Sequence, residues 1–281
     1  NKFMKKILIT GGAGYIGSKL ATKLLELKHK VTVIDSLMFS KKSLNHLFSN
    51  PNFTFIKADI RNKKIMNKLI STHEYIIPLA ALVGAPLCEK NKNLAVMINL
   101  NSIKDLMKNI SKKTKVIYLT TNSGYGVGEK NKYCNEESPL NPISLYGRTK
   151  VEAEKIVMKS KNSIGFRLAT VFGYSYRMRT DLLVNNFVFN AIRNRKLTIF
   201  EPHFRRNYIH INDVVDAIVF SINNFNILKS NIYNLGLSSA NLTKIMLAKK
   251  IKKQLKYLKI KIIKNRKDPD QRDYYVSNKK I

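Results

Sequence analysis

The stretch Lys6-Ile7-Leu8-Ile9-Thr10-Gly11-Gly12-Ala13-Gly14-Tyr15-Ile16-Gly17 leaves this chain few choices of fold. An apolar run breaks into glycines at 12, 14 and 17, and Ile16, Leu20 and Leu24 then recur at helical spacing, so a buried strand turns tightly into a helix. Without a Cβ, Gly12 and Gly14 permit a tight turn and close approach of a pyrophosphate, while Gly17 lets the helix settle against the strand. The helix N-terminus offers N–H groups and partial positive charge to phosphates. Glycine turns serve many loops, so the residues downstream decide. Lys30 to Asp35 reads as a second strand ending in an acid about twenty residues past the last glycine, where a carboxylate accepts both hydroxyls of an adenosine ribose and repels a 2′-phosphate. That predicts NAD rather than NADP. The competing role for Asp35 is a cap on a helix starting near Ser40.

The alternation continues: Phe53–Ile56 as strand, Ile60–Ile70 as helix, Tyr75–Ile77 as strand, Leu94–Ile110 as helix and Val116–Leu119 as strand. Repeated units of this length imply parallel strands with right-handed crossovers, hence an α/β, doubly wound sheet of the Rossmann kind covered on both faces. Ligands gather at the carboxyl ends of such strands. Asp59 leaves the third strand facing an adenine edge or capping the helix at Ile60. Leu79, Ala80 and Ala81 leave the fourth, small enough to let a flat cofactor lie close, or simply packed. The fifth exits into Thr120-Thr121-Asn122-Ser123-Gly124-Tyr125-Gly126, a cluster rich enough in donors to hold a substrate.

Tyr146 and Lys150 lie four apart in Tyr146-Gly147-Arg148-Thr149-Lys150, a spacing that puts both on one helix face. A neighbouring ammonium favours the phenolate, which makes Tyr146 a candidate base near neutral pH. Beyond them come a strand at 164–168, a helix at 181–193 with Arg177 and Arg179 ahead of it, a strand at 204–210, a helix at 214–222, a strand at 232–235, a helix at 242–254 and a strand at 258–263. We expect an NAD-binding domain over residues 1–171 and a smaller substrate-binding lobe over 172–281, with about 205–223 returning to the first sheet.

Composition excludes several classes. Two cysteines, Cys88 and Cys134, cannot frame a disulfide fold, and no paired spacing suggests a metal site. No leader pattern opens the chain and no apolar run is long enough to span a bilayer, so a cytoplasmic location is expected. The net charge of +33, from 51 Lys and Arg against 18 Asp and Glu, raises the alternative of a non-catalytic RNA-binding protein. The lysines are scattered rather than gathered, however, and no base-stacking motif accompanies them, so no specific nucleic acid partner is expected.

Together these residues resemble the extended short-chain dehydrogenase/reductase family, specifically its NAD-dependent nucleotide-sugar epimerases and dehydratases. The resemblance runs through Thr10–Gly17, Asp35, Asp59-Ile60, Leu79–Ala81, Asn99, Thr121–Gly126, Tyr146 with Lys150, and Arg206–Asp213. It implies that Thr121 holds the reacting oxygen, Tyr146 is the base and Lys150 holds the nicotinamide ribose. It implies cofactor contacts at Gly11, Gly14, Tyr15, Ile16, Gly17, Asp35, Asp59, Ile60 and Leu79–Ala81, and contacts to a nucleotide-sugar at Ser123, Arg179, Asn185, Arg206 and Arg272. A homodimer, joined through the helices at 94–110 and 143–158, is expected on the same ground. Departures matter as well: where the family's 4,6-dehydratases carry Thr-Asp-Glu, this chain has Thr121-Asn122-Ser123. Ser123 also replaces the cysteine of the 3,5-epimerases, and Pro78 stands where histidine is frequent. Cys88 is read as packing, with a catalytic thiol as the alternative. The chain ends at Ile281, short of the C-terminal helices the resemblance implies, so a truncated C-terminus is expected. The reaction expected is epimerisation through a transient keto sugar with NAD recycled, with dehydration or net redox chemistry as alternatives.

Overall fold

The computed structural model describes residues 4–129, 132–263 and 273–281. The apolar run becomes strand β1 (Lys6–Thr10), the glycines turn the chain, and α1 (Tyr15–Glu26) leads into β2 (Lys30–Asp35). Next come β3 (Phe53–Lys57), α2 (Lys63–Thr72), β4 (Tyr75–Pro78), α3 (Ala85–Lys90), α4 (Lys92–Val96), a π-helical segment at Met97–Asn101, α5 (Ser102–Asn109) and β5 (Lys115–Thr121). A 3₁₀ turn at Asn122–Tyr125, β6 (Tyr133–Cys134), α6 (Leu145–Val157), β7 (Ser163–Leu168) and β8 (Thr170–Phe172) complete the first part. The remainder runs through α7 (Leu183–Asn194), β9 (Lys196–Phe200), β10 (Arg205–His210), α8 (Ile211–Asn223), α9 (Phe225–Leu228), β11 (Asn231–Leu235), β12 (Asn241–Thr243), α10 (Lys244–Gln254), β13 (Lys259–Ile263) and β14 (Tyr275–Val276).

Seven strands form one parallel sheet in the order β11-β7-β5-β4-β1-β2-β3. The fold is the doubly wound one expected. Its central strands are apolar on both faces, as helices on both sides require: Ile7, Leu8, Ile9, Ile76, Ile77, Val116 and Ile117 are fully enclosed. A second core, including Phe187, Leu197, Ile199, Leu247 and Ile251, packs α7 and α10 on β9. Two small sheets, β12-β10-β8 and β13-β9, frame that lobe.

Several boundaries differ from expectation for identifiable reasons. Helix α2 begins at Lys63, not Ile60, because Asn62 is its cap, its side chain accepting from Ile65 N–H. The helix read as 94–110 is a composite interrupted by the π-helical segment. Helix α10 starts at Lys244 because Asn241–Thr243 pair with β10, after which Thr243 caps it. Within segment 205–223 the strand and the helix pack differently. Strand β10 pairs with β8 and β12, whereas Ile211, Val214, Val215, Ile218 and Ile222 of α8 join the core that contains α1 and β1. The strand that does extend the sheet is β11, alongside β7.

Candidate active site

The glycine turn lies between β1 and β4, where the strand order reverses, the usual place for a ligand in such sheets. Gly11 has φ of 70°, and a Cβ on it would stand 2.5 Å from the Ala80 Cα. The loop Leu79–Ala81 thus lies directly on the turn, with Leu79 N–H donating to the Thr10 carbonyl at 2.9 Å and Ala80 N–H to Thr10 Oγ1 at 3.3 Å. Gly17 is equally constrained, since a Cβ there would come within 2.6 Å of the Gly12 Cα. Gly14 takes the cap position of α1 without a side-chain bond, and the first turn at Tyr15, Ile16 and Gly17 holds no acid. A helix start of that kind is one an anion can complete. Asp35 closes the same cradle, its Oδ2 accepting from Ala13 N–H at 3.0 Å and Oδ1 from Leu37 N–H at 2.7 Å. Burial pushes its carboxyl up, and those two bonds work against the rise. Asp35 caps no helix near Ser40; the first helical turn after it is Asn45–Leu47, with Leu44 in the cap position.

Asp59 is engaged by its neighbour. Arg61 Nε and Nη2 reach its Oδ1 and Oδ2 at 2.9 and 2.7 Å, and that guanidinium holds the carboxyl below its ordinary range. Its role as a helix cap is taken by Asn62. Ile60 packs with Leu82 and Cys88 beneath the loop after β4.

Tyr15 and Asn185 meet across the molecule. The Tyr15 hydroxyl donates to the Gly173 carbonyl at 2.6 Å and accepts from Asn185 Nδ2 at 3.2 Å, while Asn185 Oδ1 accepts from Gly173 N–H at 3.0 Å. Asn185 Nδ2 also donates to the Arg179 carbonyl at 2.9 Å. Ser175 Oγ adds a bond to the Tyr15 carbonyl at 2.6 Å. The amide expected on the substrate therefore fastens the loop after β8 to the glycine-turn helix. Arg179 is paired with Asp181, Nε to Oδ1 at 2.8 Å.

On the other side of the switch point, α6 begins against the turn after β5. Ser144 caps the helix, accepting from Gly147 N–H at 3.1 Å, and a Cβ on Gly147 would lie 3.4 Å from the Ser123 carbonyl. Thr121 Oγ1 and Ser123 Oγ are 2.8 Å apart, and Ser123 N–H donates to Thr121 Oγ1 at 3.1 Å. Tyr146 sits in the first turn of α6 and Lys150 one turn on. Lys150 is 6% exposed, with its ammonium 4.1 Å from the centre of the Tyr118 ring. Burial lowers that ammonium to about 7, and Glu154 on the next turn works in the opposite direction. Asn99, in the π-helical segment, clasps Leu82 through both amide atoms, at 2.8 and 2.9 Å, and so holds the loop after β4 beside α6. Cys88 is fully buried, donates to the Leu82 carbonyl at 3.3 Å, and burial pushes its thiol up to about 11, which suits packing and not a thiolate nucleophile.

Arg206 is 3% exposed on β10; it donates to the Arg205 carbonyl at 2.7 Å and lies 5.9 Å from the Tyr274 ring. Arg272 falls outside the described residues. Sequence reasoning misses Glu154 and Arg167 and takes Tyr125 only as part of the donor cluster after β5, although the three form a buried polar network beside Lys150. The four-residue rhythm of Tyr146, Lys150 and Glu154 is the visible signal for Glu154. Among the described residues no group of three or more His, Cys, Asp or Glu is arranged to hold a metal, and no helix is long and apolar enough to cross a membrane.

Residues 7–236 match the model of the NAD dependent epimerase/dehydratase family. A dTDP-D-glucose 4,6-dehydratase of Dictyostelium discoideum is 29% identical over 273 residues, which cover 89% of this chain and 62% of that protein. An uncharacterized UDP-glucose epimerase of Bacillus subtilis is 28% identical over 257 residues, 86% of this chain and 80% of its own length. The chain thus spans less than two thirds of the first of these relatives. Among solved structures, the UDP-glucose 4-epimerase of Thermotoga maritima with UDP-glucose superposes with a TM-score of 0.80 at 26% identity, covering 98% of this chain and 90% of the other.

Proposed function

The chain belongs to the NAD-dependent epimerase/dehydratase family, whose cofactor is NAD, and from that premise we propose that it epimerises a nucleotide-activated hexose or heptose through a transient keto sugar. The observation that carries this choice within the family is the exit of β5. Thr121-Asn122-Ser123 supplies two hydroxyls and an amide, with Asn122 only 1% exposed and Thr121 bonded to Ser123. These three residues include no carboxylate to take a proton from C5 and return it to a departing C6 hydroxyl. The relatives include both epimerases and dehydratases, so the decision rests on these side chains.

The residues fit the cofactor. The glycine turn and the bare start of α1 suit a pyrophosphate, Asp35 suits the adenosine ribose, and Lys150 suits the nicotinamide ribose. When bound, NAD supplies a reversible hydride acceptor. Tyr146 takes the proton from a sugar hydroxyl, commonly at C4, and holds it on Oη until the sugar oxygen needs it back. Thr121 Oγ1 hydrogen-bonds the same oxygen. In its protonated form Lys150 favours the phenolate. The keto sugar turns over in the site before the proton returns, so mass and cofactor are unchanged. Arg179, Arg206 and Arg272 are proposed for the nucleotide end, where a guanidinium matches phosphate geometry. A homodimer through the composite helix over 94–110 and the helix over 143–158 is part of the same proposal.

The test is Tyr146→Phe, assayed on a panel of UDP-, GDP-, CDP- and dTDP-sugars turned over by the parent. Turnover should fall by about 10²–10⁴ with NAD binding retained. A variant as fast as the parent would refute the assignment.

A further inference from the structure

Helix α6 turns Arg148, Glu152 and Lys155 to solvent but carries Lys150 and Glu154 inward. Tyr146, Lys150 and Glu154 recur every four residues and share one face, and Lys150 and Glu154 are 6% and 2% exposed. Glu154 is gripped by Arg167 of β7, itself 4% exposed: Nη2 donates to Oε1 at 2.7 Å, and Nε reaches both carboxylate oxygens at 3.1 and 3.2 Å. The same guanidinium donates from Nη1 to the Tyr125 hydroxyl at 3.0 Å and to the Glu136 carbonyl at 2.9 Å. Tyr125 ends the turn that starts after Thr121, and its hydroxyl is 2.6 Å from Asn234 Oδ1 on β11.

A buried ion pair is no stability device in itself, since apolar residues of similar volume commonly serve as well. This pair differs in what it touches. One end belongs to the helix that bears Tyr146 and Lys150, the other braces the turn after Thr121, and its carboxylate stands one helical turn from Lys150. We propose that Glu154 and Arg167 act as positioning residues, an ionic clamp that fixes the proposed base and its lysine relative to Thr121 and supplies the balancing charge for Lys150. The proposal rests on the assignment of Tyr146 and Lys150 given above.

The charges give the two clamp residues opposite signs of effect. Arg167 does not lose its proton, and its guanidinium is paired with the Glu154 carboxyl group at 2.7 Å. Among the described residues, the ionisable groups on or against the inward face of α6 include Tyr146 and Glu154 on the helix itself, Tyr118 on β5, Tyr125 and Glu136 beyond it, Arg167 on β7 and Cys88 on α3, while Arg148, Glu152 and Lys155 of the same helix face solvent. Removing the Glu154 charge leaves Lys150 without the carboxylate one helical turn away and with the Arg167 cation uncompensated nearby. Removing Arg167 leaves Glu154 to serve Lys150 alone. A merely structural pair has no reason to produce opposite shifts.

The titration of Lys150 reads this directly, by ¹⁵N NMR of its Nζ in lysine-labelled protein without nucleotide, assigned with Lys150→Met. Glu154→Gln should lower the midpoint by about one unit, Arg167→Met should raise it, and the double variant should fall between. The alkaline limit of NAD affinity, measured by calorimetry, should move with the same signs. Should one single variant fail to fold, the double against the other single decides, because the order Glu154→Gln, double, Arg167→Met must hold. Coincident midpoints, or two single variants shifting the same way, would overturn the clamp. Failure of every nucleotide-sugar to turn over would strike the proposed reaction and leave this titration standing.

Discussion

The two walls of the cofactor cradle are made by different physics. The glycine turn works by exclusion: a Cβ on Gly11 or Gly17 would collide with backbone atoms at 2.5–2.6 Å, and the start of α1 is left without a side-chain cap. Helix α6 works by inclusion, drawing Lys150, Glu154 and, from β7, Arg167 out of water and balancing them against one another. The first wall costs backbone freedom and the second costs solvation. A change in the turn should therefore act through sterics at every pH, whereas a change on α6 should act through charge and depend on pH.

The largest expected effect tests the first half of that contrast. Gly11→Val puts a branched side chain at a φ of 70° against Ala80, so NAD binding should disappear and stability should fall by about 3 kcal/mol, alike at pH 6 and pH 9 in urea titrations. A loss confined to one end of the pH range would break the distinction. Asp35→Ala is milder: removing a charged acceptor should weaken NAD by about 2 kcal/mol, roughly thirtyfold, in calorimetric titration, and should shrink any preference over NADP. An unchanged preference would detach Asp35 from the ribose.

The smallest effect tests the second half, and its sign is unusual. Lys150 titrates near 7 in the folded protein and near the ordinary lysine value of about 10.4 when unfolded. The unfolded chain thus binds more protons between those values, so this residue's destabilisation is complete below about 7 and fades as pH rises toward 10. Lys150→Met should stabilise the nucleotide-free protein by about 1 kcal/mol at pH 7 while lowering turnover, with the gain shrinking at higher pH. Thermal melts at several pH values read the slope, and a gain that ignored pH would place Lys150 outside the buried charge set.

The same contrast explains what is legible in the sequence. The glycine turn, Asp35 and the alternating strands are local patterns, and the large sheet is built from them. Tyr146 and Lys150 are also local, one helical turn apart. Arg167 is not: it lies thirteen residues from Glu154, on a strand whose polar residue has no periodic reason to be buried, and only the pairing of β7 beside β5 brings it under α6. Asn185 differs again, since its residue type suits a substrate contact and only the fold reveals that its amide holds Tyr15 and Gly173. Asp59 does not cap the helix after β3 because Asn62, three residues on, is the better placed acceptor. Strands β8, β9 and β12 escape a reading by pattern because three to five residues in small sheets carry little alternation to detect.

The central claim is that the site inverts a sugar centre and returns what it borrows. Incubation of the parent with each nucleotide-sugar, with mass spectrometry and proton NMR of the product and absorbance of the cofactor, tests it most directly. We predict a product of unchanged mass with one inverted centre and no accumulation of NADH; loss of a water or a stoichiometric rise in NADH would contradict it.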